Sequence, residues 1–141
     1  MNYASTQHAG PSVAISWGEL FDRIVILEIK SERLTNQAAL ENVGRELAGL
    51  REAAAGVAAD NEILIGRIAD LREVNVALWD IENAIRACER NADFGDTFIQ
   101  LARSVYKKND KRAFIKREIN LLLGSALIEE KSYDESESLR C

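Results

Sequence analysis

Histidine is almost missing from this 141-residue chain: the one copy, His8, lies in a polar N-terminal stretch. That removes zinc sites built on histidine, di-iron bundles that use Glu-x-x-His pairs, and the Ser-His-Asp triad. Cysteine is nearly as scarce. Cys88 falls on an apolar stripe and Cys141 ends the chain, so no structural disulfide is expected and Cys88 reads as a small core residue. The only proline, Pro11, leaves everything after it free to run as long helices. Long apolar runs are also lacking: the longest, Ile24 to Leu27 with Ile29, is broken by Glu28, so no membrane span is expected. No basic stretch followed by an apolar one opens the chain, so the expectation is a protein without a signal peptide, in the cytoplasm.

What is present is helical periodicity. In Asn61–Asn91, apolar residues recur in steps of three and four at Leu64, Ile68, Leu71, Val74, Leu78, Ile81, Ile85 and Cys88. This is the mark of an amphipathic helix, and at about 1.5 Å per residue it runs roughly 45 Å. A compact globule of this length would be roughly 37 Å across. The expected fold is therefore all-α: an elongated antiparallel bundle or coiled coil of about four helices, organised around this stretch and self-associating.

The remaining elements follow from caps and stripes. Residues 1–14 read as a disordered tail, 15–133 as one helical domain and 134–141 as an acidic tail. Ser16 with Glu19 forms a capping box that starts helix 1 near Trp17, and its broad apolar face implies contacts on more than one side. Asn36 caps helix 2, Gln37 to about Ala54, whose Leu40, Val43, Leu47 and Leu50 repeat as a heptad. Gly44 and Gly49 keep that helix thin, which suits a close neighbour. An antiparallel pairing of helices 2 and 3 is expected, broken near Gly56–Asn61 with Asp60 or Asn61 as the next cap. Helix 4 runs from Thr97 to about Leu123 and stops at Gly124, and Leu127 and Ile128 could dock beyond it.

Two polar edges interrupt the apolar stripes. Helix 3 carries Asn75, Trp79, Glu82 and Arg86 in steps of four, three and four; helix 4 carries Asn109, Arg112, Lys116 and Asn120. A short turn between the helices lets their middles face each other. The preferred reading is a buried network of salt bridges and amides that fixes register. The alternative is a site for an anionic small molecule such as a sugar phosphate or nucleotide sugar. Arg86, Arg112 and Lys116 would then hold the anion, Trp79 would stack, and Glu82 would be the acid or base. The spacings Glu19–Asp22 and Asp70–Glu73 place carboxylates a turn apart, as magnesium-binding pairs require, yet an exposed helix face accounts for them. No metal site or cofactor is expected. The basic segment 94–124, with seven bases against three acids, lies between acidic segments. That balance fits self-neutralisation within a bundle better than nucleic-acid binding.

The stretches ISWGELFDRIVILEIKSERL (15–34), VNVALWDIENAIRACE (74–89), FIQLARSVYKKNDKRAFIKREIN (98–120) and SALIEEKSY (125–133) resemble a family of small bacterial proteins. It is known as a domain of unknown function, number sixty-one sixty-five. The resemblance implies a bacterial source and supplies no activity, cofactor or catalytic residue. The pattern at Asn75, Trp79, Glu82 and Arg86 also resembles another helical family, met near glycosyltransferase genes for surface polysaccharide. The functional expectation is a non-enzymatic helical interaction or scaffold protein that self-associates and is accessory to surface-polysaccharide biosynthesis, with the anion site as the alternative.

Overall fold

The computed structural model describes residues 7–57 and 60–133. The chain is all-α, with helices α1 (Trp17–Arg33), α2 (Gln37–Ala54), α3 (Glu62–Arg90) and α4 (Asp96–Leu123). The caps explain the starts. Ser16 Oγ accepts from the Glu19 N–H at 3.1 Å, Asn36 Oδ1 from Ala39 at 3.0 Å and Asn61 Oδ1 from Leu64 at 3.1 Å. Each satisfies one donor that the first helical turn leaves open. The capping box at Ser16 is only half made, because the Glu19 carboxylate is drawn to Arg23 and Lys116 instead of back to Ser16. Helix α4 begins one residue earlier than expected, after Gly95.

Two Schellman turns end the long helices. After α4, Gly124 is left-handed (φ 62°) and the Ser125 N–H reaches Asn120 O at 2.8 Å. After α3 the left-handed position falls on Ala92 (φ 51°), with the Asp93 N–H on Cys88 O at 2.9 Å. A left-handed alanine costs about 1–2 kcal/mol, and the turn it makes brings α4 back along α3.

The packing corrects the expected centre of the molecule. Helix α1, not α3, touches all three others; α3 and α4 pack along each other, and α2 packs on α1 alone among the described residues. The reason is visible in α1, which buries Leu20, Phe21, Ile24, Val25, Leu27 and Ile29 around most of its circumference. The core joins these to Val43 and Leu47 of α2, Leu64, Leu71 and Val74 of α3, and Ile115 and Ile119 of α4. The expected pairing of helices 2 and 3 is thus replaced by α1 between them. Gly44 and Gly49 admit no close neighbour either, since a Cβ on them would meet nothing within 4 Å.

Residues 7–15 carry no helix and are exposed; residues 1–6 of the expected tail and the whole acidic tail 134–141 lie outside the described residues. Residues 125–133 lie back over α4 without regular structure. They are held less by Leu127 and Ile128, 48% and 36% exposed, than by ion pairs: Glu129–Lys116 at 2.8 Å, Lys131–Asp110 at 2.9 Å and Glu130–Arg117 at 3.4 Å. No helix is long and apolar enough to cross a membrane among the described residues.

Helices α1 and α4 approach closely at Gly18. Its N–H donates to Asn120 Oδ1 at 2.7 Å, and a Cβ there would stand 2.4 Å from Lys116 O. Backbone cannot swing aside as a side chain can. Gly18→Ala is therefore expected to push the helices apart and to cost about 2–3 kcal/mol, at the upper end of overpacking penalties. Urea unfolding with an unchanged m-value would measure it.

Candidate functional site

The polar groups of α1, α3 and α4 meet at Asp22, which is fully buried. Asn75 lies a little over four turns before the end of α3 and Arg112 a little over four turns after the start of α4, so the hairpin brings both to one level. Asn75 Nδ2 donates to Asp22 Oδ1 at 2.9 Å. Arg112 grips the same carboxylate with two nitrogens, Nε at 3.0 and 3.1 Å and Nη2 on Oδ2. This fork-on-fork geometry is the strong form of a charge-assisted hydrogen bond. It holds the guanidinium pKa above its ordinary value, against the opposing effect of burial. Arg112 Nη1 takes no hydrogen bond among the described residues.

One turn further along α4, Lys116 is buried to 8% exposure and lies between Glu19 at 2.7 Å and Glu129 at 2.8 Å. Burial would lower its pKa, but the hydrogen bonds that the ammonium donates to both carboxylates outweigh burial and raise it. Glu19 is the mirror case: burial would raise its pKa, and hydrogen bonds from Lys116 and Arg23 bring it below 4.5. One further turn on, the buried Asn120 side chain accepts from the Gly18 N–H and from Ser125 Oγ, and Ser125 Oγ accepts from the Trp17 N–H.

The eight residues singled out from the sequence divide into three groups. Asn75, Arg112, Lys116 and Asn120 join the buried network, but toward α1 and not chiefly toward each other. Trp79 and Asn109 line a cleft beside it, together with Glu82 and the cleft-facing sides of Asn75 and Arg112. Arg86 is turned to solvent, 73% exposed, and among the described residues pairs only with Glu82, at 3.8 Å. The acidic members that complete the network, Glu19 and Asp22, were assigned from sequence to an exposed face, and the structure overturns this. A signal for Asp22 does exist: it falls in line with Gly18, Val25 and Ile29, a spacing of four, three and four on the inner side of α1. Asp70 keeps its surface role, paired with Arg67 at 3.4 Å. No cluster of three metal-ligating side chains occurs among the described residues.

Alignment of the chain with known families covers residues 12–140. The chain belongs to the family of unknown function DUF6165. No curated protein and no solved structure matches it.

Arg112→Ala leaves Asp22 buried with only Asn75 as donor. Removing one partner of a buried pair typically costs about 3–5 kcal/mol. The lower end is expected here, because Arg112 itself is partly open to solvent and water can follow its path. Asp22→Leu combined with Arg112→Met should recover most of the loss, as apolar replacements of buried ion pairs often do. Chemical denaturation of the three proteins would check this.

The pH dependence follows from signs. A carboxyl whose folded pKa is lowered stabilises the fold above its unfolded value, here 4.5, and the contribution is lost as pH falls through the folded value. Lys116, raised, contributes below 10.5 and loses that contribution as pH climbs beyond. Glu19→Gln should therefore flatten the acid limb of a stability–pH curve below 4.5 and leave the slope between pH 6 and 8 unchanged, measured by thermal melts.

Proposed function

We propose that this protein is a non-enzymatic helical interaction module that self-associates through the outer face of α4. The observation that carries the reading is a row of large apolar side chains on the solvent side of that helix. Ile99, Tyr106, Phe114 and Leu121 are 48%, 55%, 62% and 57% exposed. With Arg103, Asp110 and Arg117 they make a stripe spaced four, three, four, four, three, four, which reads the same in both directions about Asp110. An 11-residue repeat of this kind keeps a stripe nearly straight along a helix.

A two-fold interface places the same surface of each copy against itself. Antiparallel pairing about Asp110 brings Ile99 of one copy beside Leu121 of the other, and Tyr106 beside Phe114. The same symmetry opposes Asp110 to itself and Arg103 to Arg117. Lys131 on Asp110 and Glu130 on Arg117 neutralise two of these groups within each protomer. The heptad of α2 is not available for self-association, because Val43 and Leu47 are consumed against α1.

The stripe is about 33 Å long and about 10 Å wide. That is roughly half the 800 Å² per partner of a standard stable interface, so the dimer belongs to the transient class. For its setting, the resemblances drawn from the sequence support a bacterial source and an accessory role in surface-polysaccharide synthesis, with the cytoplasm as the expected location.

Light scattering across a concentration series should show dimer appearing at tens of micromolar. Phe114→Glu should return a monomer with an unchanged melting temperature, since that side chain is mostly in water. A wild-type protein that stays monomeric throughout the series, or a Phe114→Glu variant that still dimerises, would overturn the proposal.

A further inference from the structure

Between α1, α3 and α4, on the far side of α4 from the outer stripe, lies a cleft of about 390 Å³. This is within the range of small-molecule sites. Its floor is apolar, with Ile29, Leu78 and Trp79. The Trp79 ring is fixed from one side by the Arg33 guanidinium, 5.9 Å from its centroid, and Arg33 is fixed in turn by Asp80 at 2.6 Å. A rigid indole at the edge of a cleft offers a flat surface for a planar or apolar group.

The rim supplies donors of one sign. Lys30 is half-buried on α1 and makes no ion pair or hydrogen bond among the described residues. Arg112 enters from α4 with Nε and Nη2 committed to Asp22, which leaves Nη1 as its open donor. Asp22 thus does two things to Arg112: it cancels the charge locally and it sets the direction of the remaining N–H groups. The Asn109 side chain, on the same wall as Arg112, also makes no hydrogen bond among the described residues.

The charge count selects the ligand class. Arg112 is offset by Asp22, and Glu82 by Arg86, so Lys30 leaves the cleft with a single positive charge. A dianion such as a phosphate monoester would be half unmatched and would lose more on desolvation than these donors return. A monocarboxylate matches in charge and has two oxygens for two donors.

We infer that this cleft is a binding site for a small monocarboxylate with a planar apolar body, its carboxylate on Lys30 and Arg112 and its body against Trp79. This differs from the sugar-phosphate site expected from sequence in using Lys30, which that reading missed, and in excluding Arg86 and Lys116. It does not depend on the dimer, whose surface is elsewhere on α4.

Titration calorimetry with indole-3-acetate tests it, with indole-3-acetamide as the neutral counterpart and inorganic phosphate as the dianion. The expected result is saturable binding of the carboxylate, at least tenfold weaker binding of the amide, and at least tenfold weaker carboxylate binding by Lys30→Gln with the melting temperature kept. The same affinity should be found in the monomeric Phe114→Glu variant. No carboxylate binding at 10 mM ligand, equal binding of acid and amide, tighter binding of phosphate, or an affinity unchanged in Lys30→Gln would each overturn the inference. Should Lys30→Gln lose stability, Trp79→Leu must weaken the carboxylate and the amide alike, since it removes the surface for the shared indole; indifference to that change overturns the inference as well.

Discussion

A carboxylate with no access to water is the constraint on which the arrangement of three helices depends. Asp22 is expensive to bury alone, and its desolvation is offset only when Arg112 and Asn75 arrive together with good geometry. Those two residues are far apart in sequence but level in the α3–α4 hairpin. A shift of either helix by one residue rotates its side chain by about 100° and removes the donor from reach. Apolar packing tolerates such slips, because leucine and isoleucine find other contacts; a buried carboxylate does not. The Asp22 cluster is therefore expected to contribute register more than net stability, and for that reason apolar replacement of both partners and truncation of one are expected to have very different consequences.

Along α4 the same logic continues in weaker form. Lys116 and Asn120 follow Arg112 at successive turns and meet Glu19 and the Gly18 backbone on α1. At Asn120 the chain does three things in a few atoms. The amide oxygen holds the start of α1, the Asn120 carbonyl closes the end of α4 through Ser125, and Ser125 Oγ accepts from Trp17. The end of α4 thus satisfies open N–H groups in the first turn of α1, while its own last carbonyls are closed by the turn at Gly124 and Ser125. Glu129 and Glu130 then carry the chain back over α4, so the segment after the last helix is fastened by charge to the helix it leaves.

The helices were nearly all legible in the sequence, because periodicity and caps are local. Ser16, Asn36 and Asn61 marked three starts and Gly124 one stop, and α2 matched its expected bounds. What could not be read was which helix stands in the middle. The length of α3 suggested a spine, yet centrality depends on how many sides are apolar, and α1 has more. The network was half legible for a related reason. Asn75, Arg112, Lys116 and Asn120 stood out as polar residues within apolar stripes. Glu19 and Asp22 sat in a charge-rich stretch where a solvated face looked sufficient, and only the alignment of Asp22 with Gly18, Val25 and Ile29 separates them. Arg86 was included by spacing alone; it is four residues beyond Glu82 but already past the level where α1 covers the hairpin.

Once the internal pairings are made, the surplus chemistry of the molecule is small and well placed. Of the cations expected to attract an anion, Lys116 is held between two carboxylates and Arg86 is offset by Glu82, so neither adds net charge to the cleft. Arg112 contributes direction without net charge. Among the described residues, the positive group left over at the cleft is Lys30, on a helix whose sequence pattern is that of a core element. On the other side of α4 the leftover is apolar instead, a straight row of side chains that stay half-exposed although residues 125–133 reach the stripe at Asp110 and Arg117. A helix whose inner side is saturated by ion pairs can keep its shape while its outer side is bound or released, because the Asp22 contacts lie on the inner side and the stripe's own ion pairs go to the segment after α4. The rigidity imposed by Asp22 on one face of α4 would thus let the opposite face form the proposed interface without disturbing the cleft.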